Sequence, residues 1–142
     1  MFAKQLTVFI ENTSGRLSEV LDVLKKNNVN ILSLSLADTT EFGLLRLIVD
    51  NAALGKEKLI ENGFSSLLSD VSIIQIPHKV GSLQNLLKVI DDNKVNIEYM
   101  YGLSKETDKA YVVLKASDIN KVDSILAQNN IHTISCEELA NI

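Results

Sequence analysis

The chain of 142 residues has one cysteine, one proline, six glycines and no tryptophan. With Cys136 alone, no disulfide can close within it, which fits a reducing compartment. So little glycine and proline leaves no disordered tail, and 46% hydrophobic against 23% charged residues is a globular composition. No apolar run reaches the ~18 residues needed to cross a bilayer. The opening segment MFAKQLTVFIEN turns polar too soon for a signal-peptide core. Positive charge is also short. A net charge of −4 argues against nucleic acid or an anionic membrane as partner, because phosphate recognition needs a basic face. A soluble, cytoplasmic protein is expected.

Catalytic constellations are missing too. The sequence holds no Cys-x-x-Cys, no histidine pair at metal-ligand spacing, no Gly-x-Ser-x-Gly and no phosphate-binding glycine loop. No catalytic residue, metal or cofactor is therefore expected. His78 and His132 read as surface histidines, Cys136 as a small apolar residue of the last strand, and Glu137-Glu138 as solvated surface.

What the chain does have is a repeat. GRLSEVLDVLKKNNVNI (15–31) and GSLQNLLKVIDDNKVNI (81–97) align without a gap at an offset of 66, with eight of seventeen positions identical. That offset is nearly half the chain, so two copies of one unit are expected, modules 1–70 and 71–142, with almost nothing left for a catalytic domain. Units of about 70 residues are near the lower limit for a self-sufficient core. The copies should lean on each other or on a second chain.

Each copy repeats one series of signals. Lys4 to Glu11 alternates polar and apolar, as a strand does, and its counterpart is Val71 to Pro77. Leu17, Val20, Leu21 and Leu24 then fall at helical spacing, as do Leu83, Leu86, Leu87 and Ile90. Asn27-Asn28 and Asn93-Lys94 should end those helices. Second strands are read at Asn30 to Asp38 and Asn96 to Leu103, and third strands at Gly43 to Asp50 and Lys109 to Ala116. Polar hairpin turns at 39–41 and 104–108 join them. Asn51 and Asp118 should cap second helices that stop at Gly63 and Asn130. Fourth strands follow near Phe64 to Leu68 and His132 to Glu137. The order is βαββαβ, twice. The fold class is α+β, two tandem ferredoxin-like modules with antiparallel sheets and helices on one face.

The turn between the first strand and first helix carries the chemistry: Asn12-Thr13-Ser14-Gly15-Arg16-Leu17, and His78-Lys79-Val80-Gly81-Ser82-Leu83. Glycine permits a close approach of backbone or ligand. The following N–H groups open a helix, where a carboxylate gains roughly 0.3–1 kcal/mol. Asn12, and Asn30 at the mouth of the second strand, add amides that both donate and accept. The two helix-flanking turns are expected at the same end of the helix, or facing across an interface. Tyr99 and Tyr101 replace Ser33 and Ser35 and suit packing or an interface.

A strand, Asn-x-x-Gly-x-Leu, an amphipathic helix and Val-Asn-Ile resemble the ACT domain, a ferredoxin-like regulatory module that binds amino acids. Copy one carries the pattern as NTSGRL with VNI and copy two as HKVGSL with VNI, so the resemblance spans both halves. In that family the effector sits at a junction of paired modules. The resemblance implies ligand contacts at Asn12, Thr13, Ser14, Gly15, Arg16, Leu17, Asn30 and Ile31. In copy two it implies His78, Lys79, Val80, Gly81, Ser82, Leu83, Asn96 and Ile97. Copy one is the better polar site, since His78 and Lys79 stand where copy one has Asn12 and Thr13.

The expected function is that of a stand-alone regulator, not an enzyme, which binds an amino acid and modulates a metabolic enzyme in trans, as a homodimer. The alternative is an interaction or scaffold module without a small ligand, pairing through its sheet edges. A small acyl-phosphate hydrolase would use Arg16 with Asn12 or Asn30, but Arg16 becomes Ser82 in copy two and the phosphate-cradling turn is absent. Binding of RNA on the sheet lacks the aromatic pattern and has the wrong charge.

Overall fold

The computed structural model describes residues 2–11, 13–38, 41–103, 105 and 108–142. Asn12 and much of both hairpin turns (39–40, 104 and 106–107) lie outside the described residues. Lys4–Ser69 form one compact unit and Asp70–Ile142 the body of another. Each is a ferredoxin-like βαββαβ module.

In the first unit, β1 (Ala3–Glu11) precedes α1 (Arg16–Lys26), β2 (Ile31–Asp38), β3 (Phe42–Val49) and α2 (Ala52–Glu61), and β4 (Ser65–Pro77) begins. The sheet order is β2-β3-β1-β4, with β2 at the edge. The register Leu6↔Leu47, Val8↔Leu45 and Ile10↔Gly43 puts one side-chain parity of β1 and β3 on the same face. There Leu6, Val8, Ile10, Leu45, Leu47 and Val49 join Val20, Val23, Leu24 and Leu59 of the helices in one buried core. Each of these side chains, once fully buried, stabilises the fold by roughly 1.5–3 kcal/mol before chain entropy is subtracted.

The second unit repeats the plan with α3 (Ser82–Asp92), β5 (Ile97–Leu103), β6 (Lys109–Ala116), α4 (Ile119–Gln128) and β7 (His132–Ile134). Its order is β7-β4-β6-β5, and its core joins Ile74, Ile76, Val112 and Leu114 to Leu86, Ile90, Val122 and Leu126.

No linker separates the copies: the fourth strand of copy one, expected to run almost directly into the first strand of copy two, joins it as a single strand, β4, since Ser69-Asp70 has no glycine or proline to break it. Several expectations need correction. The last strand has only three residues, and Cys136 and Glu137 belong to a short helix, α5 (Cys136–Ala140). Ser135 caps that helix: its hydroxyl accepts from Glu138 N at 3.0 Å and donates to Glu138 Oε1 at 3.4 Å. The inward face of α1 centres on Val20, Val23 and Leu24, leaving Leu21 half-buried, and Leu83 of α3 is exposed.

The helix ends follow one rule. Asn51 and Asp118 cap α2 and α4, accepting from Leu54 N and Lys121 N. The five helices among the described residues each stop at an asparagine (27, 62, 93, 129 and 141) whose Nδ2 donates to the carbonyl four residues back. The left-handed residue comes one place after four of these asparagines, at Asn28, Gly63, Lys94 and Asn130. Val29, Phe64 and Ile131 then donate to Leu24, Leu59 and Leu126 in Schellman closures.

Candidate functional site

The two strand-to-helix turns have the same backbone. In the first, Thr13 N donates to Glu11 O at 2.8 Å and Glu19 N to Gly15 O at 3.0 Å. In the second, Lys79 N donates to Pro77 O at 3.0 Å and Asn85 N to Gly81 O at 3.0 Å. Gly15 and Gly81 occupy the N-cap positions at φ +87°, a left-handed conformation that side-chain-bearing residues adopt only with strain. A Cβ on either would meet nothing within 4 Å, so these glycines answer to backbone angle rather than to close approach.

This conformation has a consequence for hydrogen bonding. Asn51, Asp118 and Ser135 supply side-chain caps to α2, α4 and α5, whereas α1 and α3 have no side-chain cap. Arg16 N and Ser82 N donate to Thr13 O at 3.5 Å and Lys79 O at 3.2 Å, so among the described residues it is the N–H groups of Leu17 and Ser18, and of Leu83 and Gln84, that are left for solvent or a ligand.

Around the first turn Thr13, Ser14 and Gly15 are exposed, and Leu17 packs partly into the core. Leu17 also lines a hollow of about 230 Å³ with Ile10, Glu11, Thr13, Leu36 and Gly43. Arg16 is turned to its own module: its guanidinium carbon lies 4.5 Å from the Phe64 ring centroid, and Nη1 donates to Glu19 Oε2 at 2.7 Å. Its Nε is buried without a hydrogen-bond partner.

Asn30 and Ile31 lie elsewhere. Asn30 N donates to Asp50 Oδ1 at 2.9 Å and its carbonyl accepts from Asp50 N at 3.1 Å, beside a separate hollow of about 380 Å³ bounded by Leu21, Lys25 and Asn28. The 11 residues of α1 stand between the two places, a length of about 16 Å. Within one module an amino acid cannot touch both ends, which removes the first of the two expected arrangements, a shared end of the helix, and leaves the one across an interface.

In the second module His78 N donates to Asp108 O at 3.2 Å, and Val80 projects fully into solvent at the turn. His78, Lys79, Ser82 and Leu83 border a hollow of about 290 Å³. Every residue lining the first hollow has its repeat counterpart lining this one. The exchanges change its character: Glu11 becomes Pro77, Thr13 becomes Lys79, Leu36 becomes Gly102 and Gly43 becomes Ala110. Asn96 Nδ2 donates to Ser117 Oγ at 3.2 Å at the far end of α3, next to Ile97. Tyr99 and Tyr101 are half-buried on the edge strand β5, opposite Lys115 and Val113.

His132 is exposed on β7 opposite Gln75. Among the described residues no group of three or more His, Cys, Asp or Glu could hold a metal, and no helix is long and apolar enough to cross a membrane. The clearest displaced titration is that of Lys26, raised by its hydrogen bond to Asp22 and then by that carboxylate's charge, on the solvent face of α1. Gly43 and Leu36 were absent from the sequence-based site. The exchange of Gly43 for Ala110 between copies was the signal that could have found them.

A family model described as an ACT domain pair matches residues 1–142. The acetolactate synthase isozyme 3 small subunit of Escherichia coli (strain K12) is 28% identical over 135 residues, covering 86% of this chain and 81% of that subunit. Protein BT0572 from Bacteroides thetaiotaomicron superposes with a TM-score of 0.94 at 35% identity, covering 100% of this chain and 98% of that one. The ligand-free regulatory subunit of aspartate kinase from Thermus thermophilus shares the fold, with a TM-score of 0.61 at 17% identity over 88% of this chain and 91% of that one.

Proposed function

The chain belongs to the ACT domain pair family, and from that premise we propose that it binds a free amino acid at the turn of its first module and thereby modulates a partner enzyme. The observation that carries this reading is the uncapped, glycine-initiated N-terminus of α1 beside a hollow of about 230 Å³. The effector's carboxylate meets the free N–H groups and the positive helix end, and its remainder meets the hollow. The similarity to a small subunit of acetolactate synthase supports a partner enzyme in amino-acid metabolism. Regulation then requires the effector to favour one state of the complex, with couplings of typically about 1–3 kcal/mol.

Asn30 and Ile31 join the site through a second copy of the chain. Among the described residues β2 pairs with β3 alone, and Leu34 and Leu36 on it are each 49% exposed. No charged residue interrupts Ile31 to Ala37, so this edge has none of the charge that usually keeps edges apart. The end of β2 lies near the first turn, because Asp38 pairs with Gly43 while Phe42 pairs with Glu11. The start of β2 is at the other end, where Ile31 pairs with Val49. In a two-fold antiparallel pairing of β2 edges, the start of one strand lies beside the end of the other. Asn30 and Ile31 of one copy then approach the Gly15 turn of its partner, and the site forms twice.

Thermal-shift measurements with each of the twenty amino acids at millimolar concentration test the function. The expected result is a rise in Tm with a subset of them, since a ligand at 100 times its Kd stabilises by about 2.7 kcal/mol. No shift with any amino acid, in a sample shown by light scattering to be dimeric, contradicts it.

A further inference from the structure

We propose that the first hollow is the side-chain pocket of the effector, that it selects a small aliphatic amino acid, and that Gly43 sets its depth. This rests on the first turn being the effector site. The hollow holds about 230 Å³, below the ~300–1,000 Å³ of pockets that bury a drug-sized ligand, and so suits a single amino-acid side chain. Its wall is hydrocarbon, from Ile10, Leu17 and Leu36, with Gly43 between. Among the described residues the one charged group on its lining is Glu11. That carboxylate complements the ammonium of a free amino acid and repels an acidic side chain. A lysine side chain fits no better, because its ammonium would have to be desolvated against the hydrocarbon wall.

Gly43 leaves no slack. A Cβ there would lie 2.9 Å from Ile10 Cγ1, 3.2 Å from Ile10 Cδ1 and 3.6 Å from Leu36 Cδ1, so any side chain displaces Ile10. The hollow of the second module has a different character, with Ala110 in place of Gly43, Lys79 in place of Thr13 and Pro77 in place of Glu11. Among the described residues its lining has no carboxylate to hold an ammonium. An aliphatic amino acid is therefore read by the first module.

The test is calorimetric titration of glycine, valine, leucine, isoleucine, phenylalanine, aspartate and lysine into the full chain and into Gly43→Ala and Leu36→Ala. Valine, leucine or isoleucine should bind at least about tenfold tighter than glycine, aspartate and lysine. Gly43→Ala should weaken leucine binding by a similar factor while the circular dichroism spectrum is unchanged. Leu36→Ala, on the edge strand proposed to pair with a second copy, should stay folded and dimeric by light scattering and move the preference toward phenylalanine. If Gly43→Ala does not fold, Leu36→Ala decides alone. Preferred binding of a charged amino acid, or an unaltered leucine-to-phenylalanine ratio in Leu36→Ala, overturns the pocket while leaving the amino-acid site standing. If no amino acid binds at all, the functional reading fails and the pocket with it.

Discussion

The two modules have the same backbone at their first turns and different side chains around them. Gly15 and Gly81 share φ +87° and both leave their helix without a side-chain cap. Beside the first turn stand Glu11 and Thr13; beside the second stand Pro77 and Lys79, with Val80 bare in solvent. Arg16 lies over Phe64 in the first module, whereas its counterpart is Ser82 and that of Phe64 is Ile131. The arginine and the aromatic ring have been exchanged together, as expected of a local brace rather than a ligand contact. The backbone of the turn belongs to the fold, and in the proposed reading selectivity resides in the few side chains that vary around it.

The comparison is tested most forcefully in the cores, where the modules should behave alike. Leu24 and Ile90 are repeat equivalents with no exposed surface. Leu24→Ala and Ile90→Ala should each lose about 2–5 kcal/mol in denaturant unfolding. A negligible loss at one of them would show that its module is not packed as described.

At the turns, Gly15→Ala and Gly81→Ala should each cost about 1–2 kcal/mol, since both force a side chain to positive φ. Gly15→Ala should also weaken amino-acid binding, and Gly81→Ala should not. Equal effects on binding would erase the distinction between the modules. Arg16→Ala should lower stability by about 0.5–1 kcal/mol, reflecting its contact with Phe64, against no change for Ser82→Ala. A larger loss of ligand affinity than of stability in Arg16→Ala would move Arg16 into the site.

The smallest expected effect is at Asp22. Its partner Lys26 has a raised pKa, so the pair contributes fully below the ordinary lysine value and is lost only as pH rises through the raised one. Both groups are exposed, and Asp22→Asn should leave Tm unchanged between pH 6 and 9.

The fold was legible because two periods, of strand and of helix, recurred at one offset. Asn51 and Asp118 declared their caps by residue type, and the turn glycines declared theirs by repetition. The near-continuity at β4 was legible too, because Ser69-Asp70 has no glycine or proline to end a strand. The serine cap at Ser135 was less legible, because the apolar Ile131 and Ile134 around it suit a strand as well as a helix start. The split of the site between the two ends of α1 is a matter of helix length, which alignment of motifs does not weigh. Gly43 escaped notice since its neighbours, Ile10 and Leu36, are far from it in sequence and meet it only through strand register.

The central claim is that the first turn, and not the second, receives the effector. Backbone amide NMR of the full chain during titration with leucine tests it directly, because Gly15 and Gly81 report on the two turns. Saturable shifts are expected at Gly15, Arg16 and Leu17, with Gly81, Ser82 and Leu83 unmoved. Shifts confined to Gly81 and its neighbours, or absent from both turns while leucine binds, would contradict it.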